Sequence, residues 1–431
     1  MLHHELWRDE AQVWLVVRDL NIFGVFDHVR NEGHPLLWYI IVLPFAKIKL
    51  PVISMQILSF IFMSAAAGVF LWKSPFSKIA KLSVVFSAGF LYWLTIISRS
   101  YSLVPLFLFL LALYYPRQKE HPYIYSIFNI LLANTHILMF GFSSALCILF
   151  GYKNIFKPHE NRKKYIAPFL INAVCLAITA LYILSRPEDN VSAAVAPLST
   201  ISIAAVKNAV TGFFTNIYAE SGISAWVGAI CIIAGLVLLF IKNRACFFVF
   251  CFSTLYQFYI YICVCKSSPE KAFLVLLTLV FCFQVVFDKL KNKEKTFINT
   301  LIVIIFGLSW NLGFHLYKND FFYKYSGSKE AAQYIEKNIE KDAVIISNMT
   351  LTTAGVLAYL PERKFYVTAF NDYYTYGYKK FKIKKPQNFY SKKVYYIYSA
   401  LEKPDKDKTV LFVSARDTLI PTEVFYIAKD K

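Results

Sequence analysis

The stretch ISAWVGAICIIAGLVLLFI, residues 223–241, carries no charged side chain from end to end. About 20 consecutive apolar residues, each rising 1.5 Å along a helix, cross the roughly 30 Å hydrocarbon core of a bilayer. The segment therefore reads as a membrane-spanning helix. Comparable stretches lie at 52–72, 166–185, 246–265 and 297–316. They belong to a chain of 431 residues that is 57% apolar, with a mean hydropathy of +0.47. That is too apolar, and too clustered, for a soluble protein of this length. The expected fold is mainly α, a polytopic transmembrane helical bundle.

Charge sets the sidedness. The formal net charge is +19, and much of the excess lies in five clusters between apolar stretches. These are Lys73/Lys78/Lys81, Arg117/Lys119, Lys153/Lys157/Arg162/Lys163/Lys164, Lys242/Arg244 and Lys289/Lys291/Lys293/Lys295. Cytoplasmic loops are enriched in Lys and Arg, so all five are expected inside. The chain between successive clusters must then cross an even number of times. Residues 82–97 and 103–115 make one pair, with Ser98, Arg99, Ser100 and Tyr101 as the outside turn. The next pairs are 123–134 with 136–151, 166–185 with 223–241, and 246–265 with 272–287; residues 297–316 exit last. Basic charge distributed in this way points to membrane lipids as partners and not to nucleic acid. The same parity places 47–51 outside. Residues 36–45 are few and include Pro44. They form an interfacial or re-entrant helix if Asp9 and Glu10 are outside, whereas a full crossing there would put both carboxylates in the cytoplasm.

A long outside loop is expected from Arg186-Pro187-Glu188-Asp189-Asn190 onward, with an amphipathic surface helix at 203–218. After residue 316 charge rises, and Tyr and Lys become frequent. Residues 328–339 have helical periodicity; 343–347, 364–369, 394–398, 410–414 and 424–427 read as strands, and 371–393 as a loop. The domain expectation is 1–51 as an outer catalytic loop with interfacial helices, 52–316 as the bundle, and 317–431 as a small α/β extracytoplasmic domain at a multi-pass cell membrane. Asn348-Met349-Thr350 matches a short glycosylation acceptor pattern. The eight cysteines lie in or at the ends of apolar stretches. Cys263 and Cys265 are too close for a zinc site, so all eight read as small core residues. The polar, acidic start does not resemble a cleavable signal peptide.

Chemistry concentrates near the start, in WRDEAQVW (7–14) and EGHPLLW (32–38). Carboxylates at a membrane edge are costly and mark function by default. On a helix, Asp9 and Glu10 point about 100° apart, so one faces a reacting centre and the other serves support or metal. The alternative is a solvated helix N-terminus whose acids complement the dipole. His34, between Gly33 and Pro35, is either a cap residue or a donor to phosphate. Arg99, with Tyr101 beside it, is either a bidentate phosphate contact or a side chain snorkelling to headgroups. His136 is either a site residue or an interhelical hydrogen-bonder. Lys266, Glu270 and Lys271 form either an exposed charge cluster or a further phosphate contact.

WRDEAQVW, NEGHPLLWY (31–39), SRSYSLVPLFLFLLAL (98–113) and NTHILMF (134–140) together resemble the polytopic GT-C glycosyltransferases. The closest likeness is to the bacterial dolichyl-phosphate-mannose-protein mannosyltransferase-like family, and it covers roughly residues 6–151. The resemblance implies a sugar donor carried on polyprenyl phosphate and action at the outer face of the membrane. It places the acidic catalytic motif on Asp9 and Glu10, the His-Pro motif on His34 and Pro35, and the Arg-x-Tyr element on Arg99 and Tyr101. Some relatives use a divalent metal such as Mg or Mn, for which Asp9 and Glu10 would be the ligands; others use none. Relatives have a membrane helix ahead of the acidic loop, where this chain starts at the loop, so the resemblance adds an upstream helix. Relatives also carry Arg or Arg-His before a late outer-facing helix, where this chain has Lys266-Ser267-Ser268-Pro269-Glu270-Lys271.

The expected function is transfer of a sugar from the lipid-linked donor to an envelope glycan, lipid or protein acceptor. Asp9 is the expected base, Glu10 its partner, and His34, Arg99, Tyr101 and Lys271 the donor-phosphate side chains; His136 is a further candidate site residue with no role assigned. The rival readings are a transporter or flippase of lipid-linked sugar and a non-catalytic, truncated assembly protein.

Overall fold

Seven helices among the described residues are long and apolar enough to cross a membrane: Ile53–Lys73, Ile137–Phe156, Lys163–Leu184, Ile223–Lys242, Arg244–Cys263, Pro269–Phe287 and Asn292–Phe322. The computed structural model describes residues 4–157, 162–185, 201–219, 222–347, 350–376, 384–389, 393–400, 406–414, 418 and 423–430. The loop expected from Arg186 to residue 200, the acceptor Asn348 and part of the 371–393 loop lie outside them. The chain divides into two units. A bundle unit comprises 32–38 and 58–316, and a sheet unit comprises 1–31, 39–57 and 317–431.

In the bundle unit the Pro269–Phe287 helix is central. Phe273, Phe281 and Phe283 on it are each about 1% exposed or less. Lys163–Leu184 and Ile223–Lys242 instead turn Ile178, Leu181, Trp226, Ile230 and Ile233 outward, each at least 60% exposed. Exposed apolar faces of this extent are rare on soluble monomers and mark protein or membrane interaction surfaces. Inside, the helices are joined by polar side chains. Asn129 Nδ2 donates to Asn172 Oδ1 (3.1 Å) and to the Ser143 carbonyl (2.9 Å). Thr179 Oγ1 donates to Asn134 Oδ1 at 3.2 Å. All eight cysteines are free.

Residues 82–97 do not make the single helix expected of them. The helix Lys78–Val85 ends there, and a π-turn follows at Gly89–Trp93. Two backbone groups needed for a continuous ladder are taken by side chains from the last helix. Trp310 Nε1 donates to the Ser83 carbonyl at 3.0 Å, and the Ala88 amide donates to Ser309 Oγ at 3.2 Å. Gly89 then lies flat on the Phe273 ring, where a Cβ would overlap the ring atoms. The last helix also has an interruption, a turn at Leu308-Ser309 between Asn292–Gly307 and Trp310–Phe322.

The sheet unit is built on six strands: β1 (Val344–Ser347), β2 (Phe365–Val367), β3 (Asp372–Tyr374), β4 (Val394–Ser399), β5 (Lys408–Val413) and β6 (Phe425–Asp430). Their order is β3-β2-β1-β4-β6-β5. β1 runs parallel to β2 and β4, and the other pairs are antiparallel. The crossover from β1 to β2 is the helix Thr350–Ala358, and the helix Ser328–Asn338 packs Tyr334 on Phe412 of β5, rings 4.4 Å apart.

Residues 1–31 and 39–57 fall in the same compact unit as 317–431. The helix Arg8–Asp19 buries Ala11, Val13, Trp14, Leu15, Val16 and Val17, and it packs against Thr350–Ala358. Polar contacts fix its two ends: Leu6 N donates to the Tyr359 hydroxyl (3.1 Å), Arg8 N to Glu423 Oε1 (3.2 Å) and Arg18 Nη1 to the Leu357 carbonyl (3.1 Å). The helix Leu37–Lys47 has 11 residues, about 16 Å of rise. At its end Lys47 Nζ donates to the Arg18 carbonyl at 2.8 Å.

Gly89→Ala should destabilise the bundle by about 1–3 kcal/mol, because the Phe273 ring must leave its place in a close-packed interior. A thermal melt of the purified protein that matched the unsubstituted one would refute this packing.

Candidate functional site

Asp9 and Glu10 occupy the first turn of Arg8–Asp19 but have separate environments. The Asp9 side chain is 31% exposed and pairs with Arg8 Nε at 3.1 Å. Glu10 is fully buried. Its Oε2 accepts from the Trp7 backbone N–H at 2.9 Å, closing the first turn, and meets His4 Nε2 at 3.1 Å. The other ring nitrogen of His4 meets Asp320 Oδ2 at 2.9 Å. The Tyr325 ring lies against the imidazole, centroids 4.2 Å apart, and Gln56 Nε2 donates to the His4 carbonyl at 2.9 Å.

This burial would by itself push His4 down, but the carboxylates of Glu10 and Asp320 outweigh it and raise the ring to about 9. Next to it, burial raises the Glu5 carboxyl to about 7 against the opposing pull of Lys324, Lys329 and His4. Burial likewise raises Glu423, against hydrogen bonds from Ser326 and the Arg8 backbone.

The second group of predicted residues meets inside the bundle unit. Gly33 adopts φ 67°, a left-handed turn open to glycine, and sets His34 ahead of the Leu37–Lys47 helix. Arg99 precedes the short turn Ser100–Ser102 that opens the helix Leu103–Tyr114. His136 caps the helix Ile137–Gly151. The His136 ring lies 4.6 Å from the Tyr101 ring and 5.2 Å from the His34 ring. The Arg99 guanidinium is 5.7 Å from the Tyr101 ring centroid. The charges of Lys271 and Arg99 both act on His136. Lys271 Nζ also donates to the Lys266 carbonyl at 3.3 Å, and Ser268 Oγ donates to Glu270 Oε1 at 2.5 Å.

His136 is 1% exposed. Its Nδ1 accepts from the Leu138 backbone N–H at 3.2 Å. A nitrogen that accepts carries no proton, so in the neutral ring the proton is on Nε2. That Nε2 is buried and, among the described residues, has no hydrogen-bond partner. Buried donors are almost always satisfied, and this one is set among aromatic and cationic side chains suited to an anionic ligand.

No protein-family model matches this chain, and no curated protein matches it.

The structure thus brings His34, Arg99, Tyr101 and His136 together, with the charge of Lys271 acting on His136, and places Asp9 and Glu10 in the sheet unit. A two-carboxylate metal site on Asp9 and Glu10 does not fit, since Glu10 is engaged by His4 and Trp7. Among the described residues no group of three or more His, Cys, Asp or Glu is arranged to hold a metal ion. His4 and Asp320 escape sequence reasoning. Neither belongs to a motif, and 316 positions separate them. The one available sign is an acidic residue four positions past the last apolar stretch.

The pH dependence follows from these shifts. A His raised from 6.5 to about 9 on folding stabilises the protein fully below pH 6.5, and that contribution is lost as pH rises through 9. Its size is on the order of 3 kcal/mol. Glu5, raised from 4.5 to about 7, costs stability as pH rises between those values. Thermal stability should therefore decline from pH 6.5 to 9, and His4→Gln should flatten that decline. A melting temperature that rises over this range in the unsubstituted protein would contradict the buried ion triad.

Proposed function

We propose that this protein is an integral-membrane glycosyltransferase of the GT-C type. It moves a sugar from a polyprenyl-phosphate donor to a cell-envelope acceptor on the outer face of the membrane. The observation that carries this reading is the buried N–H of His136, without an acceptor, among Tyr101, His34 and the charges of Arg99 and Lys271. A phosphate oxygen supplies the acceptor that this donor lacks, and the two cations suit its charge.

In this reaction the acceptor hydroxyl attacks the anomeric carbon as the bond from that carbon to the phosphate oxygen breaks. The electron pair of the broken bond stays on the phosphate. Preorganised cations and donors act most strongly where such charge develops, which is the role of Arg99, Lys271 and the His136 N–H. The Asp9 carboxylate takes the proton of the attacking hydroxyl. It is suited to this because it is the accessible member of the pair, while Glu10 is fully engaged. A single displacement inverts the anomeric carbon.

Two features of the sheet unit support an outer-face location for Asp9. The Arg8–Asp19 helix is packed into the same unit as 317–431, which the charge pattern places outside. The 11-residue Leu37–Lys47 helix is too short for the roughly 20 residues a crossing takes.

Asp9→Asn should reduce transfer from a panel of polyprenyl-phosphate hexoses by at least ~10²-fold, the usual range for loss of a general base, with donor binding retained. His136→Ala should instead weaken donor binding. Full transfer by Asp9→Asn in a folded, inserted protein would remove the base assignment. Unchanged donor binding by His136→Ala would remove the phosphate site.

A further inference from the structure

We propose that a recess on one face of the C-terminal sheet binds a neutral hexose, and that this sugar belongs to the acceptor glycan. The acceptor role rests on the transferase reading; the binding of sugar does not.

The recess measures about 550 Å³, and Ile346, Phe389, Lys393, Tyr396, Lys429 and Asp430 are among its lining residues. Small-molecule sites are concave and run to roughly 300–1,000 Å³. Strand register shows which face it occupies. Ile346 of β1 lies opposite Tyr396 of β4, and Tyr396 lies opposite Ala428 of β6. Side chains alternate along a strand, so Ile346, Tyr396 and Asp430 share one face. The helix Ser328–Asn338 packs on the other face, because its Tyr334 stacks on Phe412, and Phe412 pairs with Ile427, the neighbour of Ala428.

Two rings are held in place at the recess. Phe389 meets the ring of Tyr366 edge to face, centroids 4.9 Å apart. Tyr366 is itself fixed, 3% exposed, with its hydroxyl accepting from the Gln387 backbone N–H at 3.2 Å. Tyr396 has Lys408 Nζ 4.3 Å from its ring centroid, and that ammonium pairs with Asp430.

This mixture of groups selects the ligand class. The carbon-bound hydrogens of a hexose ring make an apolar face that lies well on the electron-rich face of an aromatic ring. The hydroxyls at its edge both donate and accept. The Asp430 carboxylate offers up to about four acceptor positions, and the Lys393 ammonium offers donors. Both charges already have opposite partners, Asp430 in Lys408 and Lys393 in Glu340. Lys429 places its ammonium 6.0 Å from the Tyr395 ring, on the opposite face. The recess therefore carries little excess charge to draw a phosphate or carboxylate ligand. An added peptide strand does not fit either, since such strands join a sheet at its edge, and β1, β4 and β6 are all interior strands.

The test uses the full chain in lipid nanodiscs. Calorimetric titration measures binding of glucan, mannan and galactan tetrasaccharides, with a tetragalacturonate as the anionic comparison. At least one neutral tetrasaccharide should bind. Tyr396→Ala and Phe389→Ala should each weaken that binding by about fivefold or more, while Tyr396→Phe, which keeps the ring, should bind like the unsubstituted protein. If Tyr396→Ala does not fold, Phe389→Ala gives the same reading from a different segment. In transfer assays the two alanine variants should raise KM for the glycan acceptor and leave KM for the polyprenyl-phosphate donor unchanged. Absence of neutral-sugar binding, preference for the tetragalacturonate, or unweakened binding in the folded alanine variants overturns the proposal. Neutral-sugar binding that the alanine variants weaken, without any transfer from polyprenyl-phosphate hexoses, upholds the sugar site and removes its acceptor role together with the transferase reading. Transfer without neutral-sugar binding removes this proposal alone.

Discussion

A buried imidazole held between two carboxylates joins the acidic first helix to Asp320, the residue that follows the last apolar stretch by a few positions. His4 contacts Glu10 six residues on and Asp320 at 316 residues' separation, and the apolar face of Arg8–Asp19 completes the attachment on Thr350–Ala358. Everything assigned to Asp9 depends on this junction. It makes the acidic segment part of a folded α/β body, not a free loop. It also requires that segment and the tail to lie on one side of any membrane the chain spans.

Much of the architecture was legible in the sequence because each part carries its own periodicity or length. The apolar runs at 166–185 and 223–241 gave Lys163–Leu184 and Ile223–Lys242 nearly to the residue. The five predicted strands were all found. What was missed has identifiable causes. Thr350–Ala358 is short and rich in threonine, a residue of low helix propensity, and it is fixed by its place between β1 and β2. β3 is three residues long, too short for an alternating pattern to show, and pairs antiparallel with β2 with Tyr373 opposite Tyr366. The break after Val85 depends on Ser309 and Trp310, more than 200 positions away, and no local pattern in 82–97 announces it.

The candidate site shows the same division. His34, Arg99, Tyr101 and His136 were picked out one at a time, each against a plain alternative, and their meeting in one place is a tertiary fact. For His136 the interhelical alternative finds no support, since its only described hydrogen bond is the local one from Leu138 and its other nitrogen has none. Asp9 and Glu10 are adjacent in sequence and equal in chemistry, and only packing tells them apart. One is accessible and the other is committed to His4.

The central claim is that the acidic first helix and the C-terminal sheet module are one body at the outer face. Single cysteines at Arg8, Lys329 and Lys293, each an exposed position, can be challenged in intact cells with a membrane-impermeant maleimide, against the unsubstituted protein as background. The account predicts that positions 8 and 329 label together from outside, and that position 293 labels only after the membrane is opened. Labelling of position 329 but not of position 8 in intact cells would contradict it.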